Sequence, residues 1–243
     1  MKIILDTNIW YGLFENRNLL KDLDQSLVTP TFLNYFEIIK KRSVVSNPLR
    51  SRWIFNKMDE FQILFEPPFV YIAKQYQFYH YKNIVELEDY ILFLIRYKKG
   101  DYIDPKKVEE FFNYADSVNA DFENLSIMYN DEAKKVQNRI KNNKKHIMKD
   151  STIFIKEYLA QIVYLATDKD ISQMDFNKIE LLVKTLDLYF KRLEIGDLKS
   201  TTNDIIDFFM LSYVQPGDLY VTKDKKWRKL IIDCGCEGYL ISV

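Results

Sequence analysis

Five acidic residues stand where their type and spacing could do chemistry: Asp6, Glu37, Asp204, Asp207 and Asp224. Asp6 ends the apolar run Ile3-Ile4-Leu5 and is followed by a hydroxyl and an amide, Thr7 and Asn8. Asp204 and Asp207 are three apart, so on a helix they share a face with Phe208 and Leu211. Two carboxylates directed toward an apolar side are costly without compensation, and a divalent cation is an efficient compensator. Asp224 follows the run Leu219-Tyr220-Val221-Thr222, and Glu37 lies beside Phe36 in a helical pattern. Plainer roles exist for several of these acids. Asp6 or Asn8 can cap the helix that follows, and Asp224 can cap the next one. Thr201-x-x-Asp204 has the form of a capping box, which accounts for Asp204 and leaves Asp207 without a partner. Taken together, the acids suit Mg²⁺ or Mn²⁺, which prefer oxygen ligands. Such a site suits attack on a phosphodiester, because the metal acidifies a water and steadies the attacking and leaving oxygens.

The elements that must position these residues alternate strand and helix at both ends of the chain. Ile3–Leu5 reads as a short buried strand, so Asp6 sits at its carboxyl end, where open α/β sheets bind ligands. A short helix is expected over Asn8 to Phe14, and a second strand at Leu27-Val28-Thr29. A helix from Pro30 through Ile39 carries Glu37, and another opens at Pro48. Phe61 to Phe65 reads as a strand stopped by Pro67-Pro68. From Phe69 to Ile195 the spacing is helical, with segments at Ile84–Lys98, Pro105–Ala120, Asp121–Lys145, Ser151–Thr167 and Phe176–Ile195. Gly196 ends the last of these. Leu219–Thr222 and Tyr239–Val243 read as strands on either side of a helix from Lys225 to Ile232. Parallel strands of one sheet bring Asp6 and Asp224 to the same edge.

Bulk properties bound the rest. The chain has 243 residues, 47% of them hydrophobic, enough for one large domain or two small ones. Lys plus Arg and Asp plus Glu number 35 each, so no global basic footprint announces nucleic acid. A local basic run, Arg139, Lys141, Lys144, Lys145, His146 and Lys149, reads as a solvated helix face or as a phosphate-contacting patch. Cys234 and Cys236 lack nearby histidines, a poor zinc set, and read as reduced thiols. No signal peptide and no membrane span are legible, so a cytoplasmic protein is expected.

Ile-Leu-Asp6-Thr7-Asn8, Glu37 in an early helix, Asn203-Asp204-x-x-Asp207 opening a helix, and Val221-Thr222-x-Asp224-x-x-Trp227 together resemble the PIN-domain nucleases. The resemblance covers residues 1–80 and 176–243, which read as a PIN-like nuclease domain. Residues 81–175 exceed what that compact family needs and read as a helical insertion or subdomain. The resemblance implies a three-layer α/β/α sandwich with a central, mostly parallel sheet. It places Asp6, Glu37, Asp207 and Asp224 on four acidic metal positions, with Asp204 as a further acid. Asn8 and Thr222 fall on supporting positions, and Trp227 on a packing one. It also implies Mg²⁺- or Mn²⁺-dependent cleavage of single-stranded RNA, leaving a 5′-phosphate and a 3′-hydroxyl. Implied partners are RNA and, in members that are toxins, an antitoxin protein; a homodimer is a separate expectation. Lys223, Lys225, Lys226 and Arg228 are candidates for holding the phosphate backbone, or form a solvated helix face. Two other classes stay open: a PIN-like module that binds RNA or protein without cutting, and a phosphotransfer enzyme on another α/β fold. Enzymes of the second class use an Asp two residues after the first, where this chain has Asn8.

Overall fold

The computed structural model describes residues 1–40, 48–76, 84–143 and 151–241. Two three-residue strands, β1 (Ile3–Leu5) and β2 (Leu219–Val221), pair in parallel, with Ile3 opposite Leu219 and Leu5 opposite Val221. Alternation along the strands divides their side chains between two faces. Ile4 and Tyr220 join one hydrophobic cluster, and Ile3, Leu5 and Val221 join the other.

The expected three-layer α/β/α sandwich is not formed. The described residues are predominantly helical, 69% of them, and their sheet has two strands. The other strand-like segments contribute single bridges only. Gln25–Leu27 is a 3₁₀ turn, and Val28 alone pairs with Ile3. That ladder stops there because Pro30 has no N–H and Thr31 already caps the next helix. Leu64 bridges Thr31, and Pro67 then leads into a helix. Glu237–Tyr239 is a 3₁₀ turn, Leu240 bridges Tyr220, and residues 242 and 243 lie outside the described residues.

Helices α1 (Thr7–Glu15), α2 (Phe32–Ile39), α3 (Pro48–Met58) and α4 (Pro68–Gln75) follow β1. α5 (Ile84–Lys99) comes next. α6 (Pro105–Asn143) is one unbroken helix of 39 residues, about 58 Å long at 1.5 Å per residue. The sequence suggested a break near Ala120 and Asp121, but neither glycine nor proline stands there to make one. Near its start α6 places Phe111, Phe112 and Ala115 in the cluster with Leu5, and farther on Tyr129 and Ala133 in the cluster with Ile4. The basic run lies partly at its end, and residues 144–149 of that run lie outside the described residues.

α7 (Thr152–Thr167), α8 (Glu180–Ile195), α9 (Thr202–Met210) and α10 (Lys225–Asp233) complete the chain. Gly196 adopts a left-handed φ of 84° and ends α8, its N–H reaching the carbonyls of Arg192 and Leu193. Ile155, Leu159 and Val163 of α7 share one buried cluster with Ile4, Leu182, Ile205 and Trp227. The helices of the middle therefore pack into the same core as the two ends. Each fully buried large aliphatic side chain there contributes about 1.5–3 kcal/mol. Among the described residues no helix is long and apolar enough to cross a membrane. Both cysteines are free thiols.

Candidate functional site

The register of β1 against β2 sets Asp6 beside Thr222. The Asp6 N–H donates to the carbonyl of Val221 at 2.9 Å, and the Thr222 hydroxyl donates to Asp6 Oδ2 at 2.6 Å. The same Thr222 oxygen accepts from the Asp224 N–H at 3.0 Å. One hydroxyl thus ties the two strand ends together. Asp6 and Asp224 both cap helices, as their positions allow. Asp6 accepts from the Asn8 N–H at 3.4 Å, a long contact, while Asp224 Oδ1 accepts from Lys226 and Trp227 at 2.7 and 3.0 Å. Asn8 acts through its backbone; its side chain is exposed. Each carboxylate keeps lone pairs beyond those its cap uses, so capping does not exhaust it.

Glu37 is held from α1, with Thr7 donating to its Oε2 at 2.5 Å. Thr7 in turn accepts from the Asn34 amide at 3.1 Å, and that amide also donates to the carbonyl of Leu5 at 3.0 Å. Asn34 completes the capping box of α2, its Oδ1 accepting from the Thr31 N–H at 2.9 Å. A fully buried amide thereby fixes α2 to the end of β1 and orients the Thr7–Glu37 contact.

Asp207, on the second turn of α9, is the acid on which the charges of the others act. Burial first, and then the charges of Asp6, Glu37 and Asp224, push its carboxyl up to about 8. Burial also raises Asp6, against the hydrogen bond from Thr222, and Asp224 adds to the rise. The indole Nε1 of Trp227 is buried with no partner in hydrogen-bond geometry, yet it lies close enough to Asp207 to favour the anion. Tyr220 is buried beside the same acids. Burial raises its phenol well above the usual range, and Asp6, Asp207 and Glu37 add to the rise.

Asp204 stands apart from that group. Its Oδ2 accepts from the N–H and hydroxyl of Thr201 at 2.8 and 3.0 Å and from the Tyr189 hydroxyl at 3.3 Å. Its Oδ1 is ion-paired with Lys226. Burial holds the Lys226 ammonium below the usual lysine range despite that pairing. Of the other cations near the acids, Lys223 and Lys225 are exposed, and Arg228 reaches the Thr222 carbonyl at 3.4 Å.

A divalent cation is the group this chemistry implies, and the donor set fits it in kind: four carboxylates, hard oxygen donors, under strong mutual charge. In placement the fit is incomplete. Among the described residues no three of His, Cys, Asp and Glu stand as a ready metal-holding group. The two findings are compatible because charges act over about 8–10 Å, whereas Mg²⁺ needs oxygens at about 2.1 Å. The four acids share a locus without being drawn to a point.

The motifs name the four acids, Thr222 and Lys226 but pass over Asn34, Tyr220 and the pairing of Lys226 with Asp204. Asn34 carried a signal, since Thr31-x-x-Asn34 has capping-box spacing. Tyr220 and the Lys226 pairing carried none, because both depend on which helix packs across β2. Comparison with protein-family models, curated proteins and solved structures gives no match to this chain.

Proposed function

We propose that the protein is a divalent-metal-dependent endoribonuclease acting on single-stranded RNA in the cytoplasm, as the resemblance to PIN-domain nucleases implies. The supporting observation is the state of Asp207. A carboxyl pushed up to about 8 by burial and three like charges is a poor structural device, and strongly perturbed acids mark functional sites. Asp6, Asp207 and Asp224 would hold the cation, with Glu37 completing the set. Asp204 is left out, because Thr201, Tyr189 and Lys226 already occupy its carboxylate. When bound, Mg²⁺ or Mn²⁺ supplies an acidified water and neutralises charge on the scissile phosphate. The chain's own contribution is orientation. Thr222 fixes the Asp6 carboxylate, Thr7 fixes Glu37, and the buried rings of Tyr220 and Trp227 keep water away from the inner side of the acids.

The test is cleavage of an unstructured, end-labelled RNA in Mn²⁺. Asp6→Asn should lower the rate by more than about 100-fold, beyond the ~10–100-fold typical for losing an outer-sphere partner of a metal ligand, with the circular dichroism spectrum unchanged. Equal activity in the variant sinks the reading.

The second reading, a module that binds RNA or protein without cutting, is favoured by the absence of a ready three-ligand group among the described residues. Calorimetric titration separates the two: no heat with millimolar Mn²⁺ supports the module. An antitoxin protein and a second copy of the chain are further proposed partners, open to co-purification and light scattering.

A further inference from the structure

We infer that a strip of aromatic rings and cations along the outer side of α1 and α3 is the track on which single-stranded RNA approaches the acids; the choice of RNA rests on the nuclease reading above. α1 directs Thr7 at Glu37 and carries Tyr11 and Phe14 a further turn or two along. α3 lies against it and presents Arg50 and Trp53, three apart and so on one face. The Arg50 guanidinium lies over the Tyr11 ring at 4.8 Å and the Phe14 ring at 5.7 Å. Phe14 meets Trp53 edge to face at 5.6 Å, and the Arg17 guanidinium lies over Trp53 at 5.4 Å. Phe14 is 37% exposed, Arg17 is exposed, and Tyr11, Arg50 and Trp53 are partly so.

Alternating flat rings and guanidinium groups suit a single strand. Bases stack on aromatic and guanidinium planes, and phosphates pair with the cations between them. A chain with 35 acidic and 35 basic residues has no general attraction for RNA, so binding needs a local strip of this kind. The strip also runs into the acidic locus. The Tyr11 hydroxyl senses both the Glu37 carboxylate and Arg50. Lys223, which follows Thr222, brings its ammonium to 3.9 Å from where a side chain on Gly12 would begin. From Thr7 to Phe14 the distance along α1 is about 10 Å, so a strand stacked on Phe14 has a neighbouring phosphate within reach of the acids. Competing with this, Arg50 is paired at 2.9 Å with Glu15, a contact 70% exposed on the acid's side and therefore easily exchanged for a phosphate.

The experiment measures binding of a fluorescent oligouridylate by anisotropy, in EDTA so that no cutting occurs. Phe14→Ala with Arg17→Gln should weaken binding by at least about 10-fold, within the range for losing a stacked base. The log–log salt dependence should flatten by ~0.7 for the one cation removed. Lys134→Gln with Lys135→Gln, exposed on α6, should change neither. Trp10 and Trp227 are buried, so quenching of tryptophan emission by RNA should come from Trp53 and vanish in Trp53→Phe. Unchanged affinity in Phe14→Ala with Arg17→Gln overturns the track, as does wild-type protein that does not bind the oligonucleotide. Equal competition by polyglutamate also overturns it, assigning the face to acidic protein segments instead. Cleavage in Mn²⁺ is scored separately. A protein that cuts RNA but binds it independently of these side chains refutes the track alone, and one that binds through them without ever cutting refutes the nuclease reading alone.

Discussion

Two carboxylates three residues apart on α9 have opposite fates. Asp204 is buried, but every need of its charge is met: the capping box with Thr201, the Tyr189 hydroxyl and the Lys226 ammonium. Asp207 is less buried, yet the charges that act on it most strongly are all of its own sign. Burial alone therefore does not mark a site; what marks it is burial without compensation. Asp204 is compensated by its neighbours, whereas Asp207 is held among charges of its own sign.

The largest effect that distinguishes them is on activity. Asp207→Asn should reduce Mn²⁺-dependent RNA cleavage by more than about 100-fold, as for Asp6→Asn, while Asp204→Asn should cost less than about 10-fold per folded molecule. Equal losses in single-turnover rates would erase the distinction. The next effect is on stability. Lys226→Met leaves Asp204 buried without its counter-charge. A fully buried pair broken this way costs about 3–5 kcal/mol, and because Lys226 keeps 31% of its side chain exposed we expect about 2 kcal/mol in urea unfolding. A smaller effect runs the other way at Asp207. Its folded-state carboxyl, raised from 3.8 to about 8, holds a proton that the unfolded chain has lost between those values. Stability therefore falls as pH rises from about 4 to about 8 and levels off above. Asp207→Asn should remove that slope and leave the variant with a higher Tm than the wild type at pH 8. A calorimetric pH series that is flat for the wild type contradicts this. The smallest effect is Thr201→Ala, which removes the cap shared with Asp204 and should cost about 1 kcal/mol without touching catalysis.

Much of the candidate site's local geometry was legible because its residues are held by local rules. Asp6 and Asp224 follow apolar runs that do pair in parallel, and the Thr201 and Asp204 spacing does form a capping box. The fold class was not legible. Leu27–Thr29, Phe61–Phe65 and Tyr239–Val243 have strand-like composition, but among the described residues Pro30, Pro68 and the turn at Glu237–Tyr239 leave each with one bridge. Periodicity also could not show that Pro105–Asn143 is continuous, since continuity is decided by the absence of a breaker and by packing at both ends. The Lys226 pairing was invisible for a different reason. Lys226 sits among four other cations on or beside α10, and only the approach of α9 selects which of them turns inward.

The mutual influence of the four acids is tested most directly by the titration of Asp207 itself. In metal-free protein carrying ¹³C-labelled aspartate, the Asp207 carboxyl resonance, assigned with Asp207→Asn, should titrate near 8 and move downward in Asp6→Asn, which removes the like charge acting most strongly on it. A midpoint near the ordinary 3.8, unmoved by Asp6→Asn, would mean that the acids do not share a locus.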